Sequence, residues 1–235
     1  MADIKALLFD VFGTVVDYRS TIIREGHQFN KEFALDLDWA DIADRWRGRY
    51  HPVLKKVLDG EKEWQKLDNL HYEALKEILE EEGITRLSEE TLQYINTVWH
   101  RLHPWGDAVP GLYRLKQKHI ISPLSNGNVS LLVNMARHAG LPWDVILSPE
   151  MIQSYKPDPD VYKMAARFLD LKPEEILMTA AHQYDLQAAQ DLGFRTAYVY
   201  RPLEFGAGNV PNLVPEREYD YTANDFIDLA DQLRC

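Results

Sequence analysis

The sequence holds one cysteine, Cys235. A lone thiol excludes an intrachain disulfide and any metal centre built from several thiolates, and it points to a reducing compartment. No apolar run approaches the ~18 residues needed to span a bilayer. The short apolar stretch after Lys5 ends at Asp10, too soon for an export signal. A cytoplasmic protein is the expectation. Positive charge is also scarce: 26 Lys and Arg against 37 Asp and Glu give a formal net charge of −11. Without a basic footprint to neutralise phosphates, neither nucleic acid nor an anionic membrane is an expected partner. What remains is a globular composition, 46% hydrophobic and 27% charged, unlike that of a disordered chain. Its 235 residues suffice for one large domain or for a domain carrying an insertion.

Ile4-Lys5-Ala6-Leu7-Leu8-Phe9-Asp10 is an apolar run with almost no polar alternation, the pattern of a strand covered on both faces in a parallel sheet. Comparable runs recur at residues 119–124, 145–147, 176–181 and 196–200. Helical patterns lie between them: residues 129–139 closed by Gly140, residues 160–169, and residues 186–192 with Gly193 as a C-cap. The alternation predicts an α/β fold, a doubly wound parallel sheet with a Rossmann-like core and its ligand site at the carboxyl ends of the strands. Residues 18–103 interrupt it with apolar positions at helical spacing, as in Trp64, Leu67, Leu70, Leu75, Ile78 and Leu79, and one helix is expected over residues 41–58. The expected domains are a catalytic core of residues 1–16 and 104–235 and an inserted helical cap of residues 17–103, placed to fold over the strand ends. Residues 104–107 and Pro110-Gly111 supply turns for the return to the core. Residues 202–221 read as a long surface loop before a last helix at residues 224–233.

Four polar groups fall just beyond different expected strands: Asp10 with Thr14, Ser125-Asn126-Gly127, Lys156, and His182 with Asp185. Each alone has an ordinary explanation as a turn, a helix cap or a solvated loop. Gathered at one sheet edge, they make a site for nucleophilic catalysis by Asp10. His27, His51, His71, His100, His103, His119 and His138 show no metal-ligand spacing and read as structural or surface groups.

Phe9-Asp10-Val11-Phe12-Gly13-Thr14, Leu124-Ser125-Asn126-Gly127, Lys156-Pro157-Asp158 with Tyr162, and His182-Gln183-Tyr184-Asp185 resemble, in order, the four motifs of the haloacid dehalogenase superfamily. Its phosphatases carry a second Asp two residues after the nucleophile, as general acid and with its backbone carbonyl on Mg²⁺. Here that position is Phe12, and an aromatic ring neither gives nor takes a proton. The pattern is instead similar to the (S)-2-haloacid dehalogenases, which use no metal or other cofactor. Trp46-Arg47 likewise resembles the pair by which that branch brings an arginine to the halide, although Arg45 and Arg49 stand close by. A guanidinium with five fixed donors suits a leaving anion.

The resemblance implies a double displacement on a small 2-haloacid, with water as the second reactant. Asp10 attacks the halogen-bearing carbon, Arg47 and Asn126 receive the halide, and water hydrolyses the resulting ester to a 2-hydroxy acid. Lys156 is expected to keep Asp10 ionised, Thr14 to orient it, and Ser125 with the backbone at Val11 and Phe12 to bind the substrate carboxylate. Asp185 is the candidate for positioning or deprotonating water, with Tyr162 holding Lys156 or Asp185. Phe12, Trp46, Tyr50 and Tyr184 are expected to wall the carbon–halogen bond. The fourth motif departs from the family: Ala180 lacks a hydroxyl and His182 replaces an amide. A His182 N–H near the halide pocket would help to expel fluoride, so that monofluoroacetate is an expected substrate beside chloroacetate. Two other functions stay open from sequence, a Mg²⁺-dependent phosphomonoesterase and a non-catalytic binder of small carboxylates. The resemblance also admits a homodimer.

Overall fold

The computed structural model describes residues 3–235. Its strands are β1 (Ala6–Phe9), β2 (Val16–Asp17), β3 (His103–Pro104), β4 (Ile120–Pro123), β5 (Ile176–Ala180), β6 (Arg195–Val199) and β7 (Tyr221–Ala223). The helices are α1 (Tyr18–Glu32), α2 (Trp39–Gly48), α3 (Tyr50–Leu58), α4 (Leu67–Glu81), α5 (Glu89–Asn96), α6 (Ala108–Leu115), α7 (Val129–Ala139), α8 (Pro159–Leu169), α9 (Gln183–Gln190) and α10 (Phe226–Gln232).

Five strands form one parallel sheet in the order β4-β1-β5-β6-β7, so β1 lies inside it. All four β1 residues are fully buried, with Leu7 and Phe9 packed in one hydrophobic cluster and Ala6 and Leu8 in a second. Helices therefore cover both faces, and the apolar run of β1 is what a doubly covered strand requires. Gly140, at φ +68°, caps α7 in the left-handed conformation and donates its N–H to the Ala136 carbonyl. Asp158 caps α8 by accepting the Asp160 N–H, with Pro159 at the first helical position.

Between β1 and α6 the chain makes a helical excursion, α1 to α5, which begins and ends at the two-residue antiparallel pair β2–β3. Both crossings into the excursion thus lie side by side, next to the end of β1. Several local expectations fail for identifiable reasons. The expected helix over residues 41–58 is two, because Pro52 lacks an N–H and its ring collides with the carbonyl four residues back, at Gly48. Residues 145–147 form no strand: only Leu147 bridges Leu124 before Pro149 opens a 3₁₀ turn. Pro110 and Gly111 lie inside α6. Pro110 occupies the first turn, where its missing N–H has no helical acceptor to lose. At Gly111 a Cβ would stand 2.5 Å from Cβ of Phe226 in α10, so the glycine admits a close helix crossing. Gly193 does close α9 as expected: at φ +85° its N–H donates to the Gln190 carbonyl while the Phe194 N–H reaches the Ala189 carbonyl, the paired bonds of a helix ended by a left-handed glycine. The last helix starts at Phe226 because Asp225 caps it, and the loop expectation passed over β7.

Candidate active site

The carboxyl end of β1 delivers Asp10, that of β4 delivers Ser125 and Asn126, and that of β5 delivers His182. Asp10 is buried and accepts hydrogen bonds from three donors. Lys156 Nζ lies 3.0 Å from Oδ1, while Thr14 Oγ1 and His182 Nδ1 each lie 2.9 Å from Oδ2. A carboxylate offers about four lone-pair positions, so one remains open, and it belongs to Oδ1. Burial opposes ionisation, but the Lys156 ammonium and the His182 ring outweigh it and hold Asp10 well below the usual carboxylate range.

Lys156 also donates to Asp185, whose other oxygen accepts the Tyr162 hydroxyl at 2.5 Å. One ammonium therefore serves two buried carboxylates. Burial and the nearby charge of Asp10 raise the Asp185 pKa, and Lys156 compensates only in part. Lys156 itself is held cationic by Asp10 and Asp185 in spite of its own burial. Its backbone N–H donates to Asn126 Oδ1 at 2.7 Å.

His182 uses both ring nitrogens. Nε2 lies 2.9 Å and 3.2 Å from the Glu204 carboxylate oxygens, and Nδ1 faces Asp10. Burial disfavours the charged ring, yet Glu204 and Asp10 push its pKa up to about 10. At neutral pH it is an imidazolium with both N–H groups committed. The expectation that it lends an N–H to a halide is therefore wrong, because no donor is left over. Glu204 escaped the sequence reading: it lies in a Gly/Pro/Asn-rich loop, 22 residues from its partner, without motif or periodicity.

The three neighbouring arginines separate cleanly. Arg45 pairs with Asp41, Glu81 and Glu82, and Arg49 with Glu77 and Glu81, all at the surface. Arg47 has no carboxylate partner among the described residues. Its guanidinium stands 4.4 Å from the Tyr50 ring centroid and 5.3 Å from that of Tyr18. With Tyr18, Asp44, His51, His182 and Phe205 it lines an open cavity of about 460 Å³. Burial and Arg47 push the His51 pKa down to about 4, so that ring is neutral. Asn126 spends its amide hydrogens on the Tyr50 hydroxyl, 2.9 Å away, and the Lys156 carbonyl, 3.4 Å away. The halide-binding role expected of it would require it to give up the longer of these two bonds. Tyr50, accepting from Asn126, keeps its own proton free to donate.

Tyr184 stacks on His182, with ring centroids 5.8 Å apart, and meets His51 edge-on. Phe12 packs against Trp99 and His71. Trp46 belongs to the same aromatic group, edge-on to Trp99, with its indole N–H donated to the His71 carbonyl at 2.8 Å. Both Phe12 and Trp46 are buried, and neither lines the cavity beside Arg47. Ser125 is fully buried, and its Oγ has no hydrogen-bond partner among the described residues, which is unusual for a buried hydroxyl. The turn after β1 starts at Val11, whose carbonyl accepts from Val15 and Val16.

A Mg²⁺ of the phosphatase kind does not fit these residues. Among the described residues no three carboxylate, imidazole or thiolate groups are placed to share a metal ion, and the Lys156 ammonium already stands between Asp10 and Asp185.

Comparison with known proteins agrees with this geometry. Residues 4–193 match the family of haloacid dehalogenase-like hydrolases. The (S)-2-haloacid dehalogenase 1 of Pseudomonas sp. (strain CBS-3) is 28% identical over 214 residues, 86% of each chain. Among solved structures, an L-2-haloacid dehalogenase is 45% identical with a TM-score of 0.93, covering 98% of this chain and 99% of its own. A defluorinating L-2-haloacid dehalogenase is 44% identical with a TM-score of 0.96, covering 99% and 96%.

Proposed function

The chain belongs to the haloacid dehalogenase-like hydrolases, on their (S)-2-haloacid dehalogenase branch, and from that membership we propose that it hydrolyses short 2-haloalkanoic acids to 2-hydroxy acids through an ester on Asp10. The observation that carries the reading is the state of Asp10, a buried carboxylate kept ionised by Lys156 with an open lone pair on Oδ1. A desolvated anion held in place is a competent nucleophile.

The orphan Ser125 hydroxyl, with the backbone at Val11 and Phe12, takes the substrate carboxylate. Oδ1 attacks the halogen-bearing carbon from the side opposite the halogen, the C–O bond forms, and the C–halogen bond breaks. Arg47 and the free Tyr50 proton receive the halide, and Asn126 holds Tyr50 in position. Water then adds to the ester carbonyl, with Asp185 as the group that orients it and takes its proton. Lys156 and Tyr162 fix Asp185 for that task.

The preferred substrates are two-carbon acids, since the rings of Phe12 and Tyr184, backed by Trp46, crowd a longer chain. Monofluoroacetate is included. Its support is the 44% identical relative described as defluorinating, with Arg47 and Tyr50 as the donors to a small, strongly hydrated anion. The same reading makes the enzyme cytoplasmic and metal-independent, with a homodimer as its assembly. The test is halide release from chloro-, bromo- and fluoroacetate, followed by a single turnover in ¹⁸O-labelled water. Label on Asp10 before product is expected. Label in the first-turnover hydroxy acid refutes the ester, and absence of fluoride release refutes the fluoroacetate assignment.

A further inference from the structure

Glu204 is a buried carboxylate for which the reaction just described has no use. It is 3% exposed, and its ion-pair partner among the described residues is His182. The loop after β6 is built to bring it there. Arg201 donates its Nε–H to the Thr14 carbonyl at 2.7 Å and grips both oxygens of Asp107 at 2.9 Å and 2.8 Å. The Glu204 N–H closes a turn onto the Arg201 carbonyl. Opposite stands Gly13 at φ +83°, where a Cβ would lie 2.2 Å from Glu204 Oε1. The glycine thus leaves room for the carboxylate as well as making the turn.

At the other end of the ring, both lone pairs of Asp10 Oδ2 are taken, by His182 Nδ1 and by Thr14 Oγ1. The Thr14 hydroxyl accepts the Ala181 N–H at 2.9 Å, which aims its own proton at Oδ2. Attack through Oδ1 makes Oδ2 the carbonyl oxygen of the ester. When water adds to that carbonyl carbon, negative charge gathers on Oδ2, where two donors already stand. Preorganised donors at this distance from a developing oxyanion are the arrangement that accelerates acyl hydrolysis.

We propose that His182 and Thr14 form the oxyanion site for hydrolysis of the Asp10 ester, and that Glu204 is the positioning residue that holds His182 in it. The inference rests on the ester reading above. In the step itself, the water oxygen bonds to the carbonyl carbon as one proton passes to Asp185. Collapse of the adduct breaks the bond from that carbon to Oδ1, and the departing alkoxide takes the proton back from Asp185. Asp10 is left as a carboxylic acid and releases its proton to solvent, while His182 stays protonated throughout. Alkylation removes the charge of Asp10, so Glu204 is then the anion that keeps the ring cationic. The other groups facing the ring do not replace it. Tyr184 from α9 and His51 from α3 are neutral, and Arg47 from α2, across the shared cavity, opposes a second positive charge.

Rapid-quench kinetics with chloroacetate on the full chain test the proposal. Glu204→Gln should keep a halide burst of about one per site, accumulate the Asp10 ester by mass spectrometry, and lose ~10²-fold in steady-state turnover at pH 9. The loss should be smaller at pH 6, because without Glu204 the alkaline limb of kcat moves down toward the ordinary histidine range. A limb that stays in place, turnover that rises with pH as for a neutral base, or equal loss of burst and turnover overturns the proposal. His182→Asn retains an uncharged donor and should fall between wild type and His182→Ala; equality of Asn and Ala also overturns it. If wild type forms no ester, the ester reading itself fails. NMR titration of the His182 ring without substrate then still tests Glu204. A pKa that drops in Glu204→Gln supports its hold on the ring, and an unchanged one refutes it.

Discussion

Lys156→Met removes the ammonium shared by Asp10 and Asp185 while keeping the length of the side chain. The two carboxylates do not suffer equally. Asp10 retains His182 and Thr14, whereas Asp185, fully buried, is left with the Tyr162 hydroxyl alone. Breaking a buried pair by deleting one partner costs ~3–5 kcal/mol, or roughly 10²- to 10⁴-fold in the folded-to-unfolded ratio. The pH dependence follows from the direction of the Asp185 shift, which is already upward and rises further once Lys156 is gone. A carboxyl with a raised folded pKa binds its proton more tightly when folded. It therefore adds stability as pH falls and withdraws it as pH rises through the folded pKa. The deficit of Lys156→Met should be largest near pH 8 and shrink toward pH 5, where a proton on Asp185 replaces the lost cation. Wild type changes over that window as well, because His182, with its pKa raised to about 10, gives up stabilisation as pH rises above the ordinary histidine value, but both proteins share that slope and it cancels in the deficit. Urea denaturation of both proteins at pH 5 and pH 8 measures this. A deficit below ~1 kcal/mol, or one equal at the two pH values, would mean that the charges do not bear on one another as drawn.

Arg47→Lys should cut halide release by ~10²-fold through loss of the flat fork over Tyr50, while Arg45→Lys, which touches surface carboxylates only, should change stability by less than ~1 kcal/mol and leave kcat alone. Similar losses in the two variants would show that the halide arginine is misassigned. Gly13→Ala should destabilise by at least ~1–2 kcal/mol from its left-handed backbone alone, and in thermal denaturation it should lose more than Gly140→Ala, where a Cβ meets nothing. Equal losses would dissociate Gly13 from Glu204. Dialysis against EDTA should leave halide release unchanged, with no more than trace Mg²⁺-dependent hydrolysis of aryl phosphates, and strong phosphatase turnover would reverse the branch assignment.

The doubly wound sheet was legible because its strands are covered on both faces, and such strands must be continuous apolar runs. The ends of β1, β4 and β5 then located Asp10, Ser125 and His182 without further information. The helical excursion was legible as a stretch of helical periodicity, but its breaks were not. Whether Pro52 or Pro110 ends a helix depends on which carbonyl stands four residues back, and periodicity does not report that. Periodicity does not separate Arg45, Arg47 and Arg49, which differ in sequence by the Trp46 that precedes Arg47, and it takes the carboxylates of α4, folded against α2, to identify the one without an acidic partner among the described residues. Glu204 and the saturation of Asn126 lay beyond reading for a related reason: each is a contact between segments far apart in the chain, satisfied by groups that carry no local pattern.

Phe12 follows Asp10 by two residues, yet its ring neighbours, Trp99 and His71, belong to the excursion from the core. Burying a phenylalanine ring stabilises by ~1.5–3 kcal/mol, whereas an ionised carboxylate set among those rings would cost several times that. Phe12 therefore rivets the helical excursion to the loop that bears Asp10. Swinging the excursion away would bare the ring and pull on residues 10–14 together. Traffic through such a molecule favours a standing doorway over a swinging gate, and the mouth ringed by Tyr18, Asp44, Arg47, His51, Phe205 and Asn209 has that character.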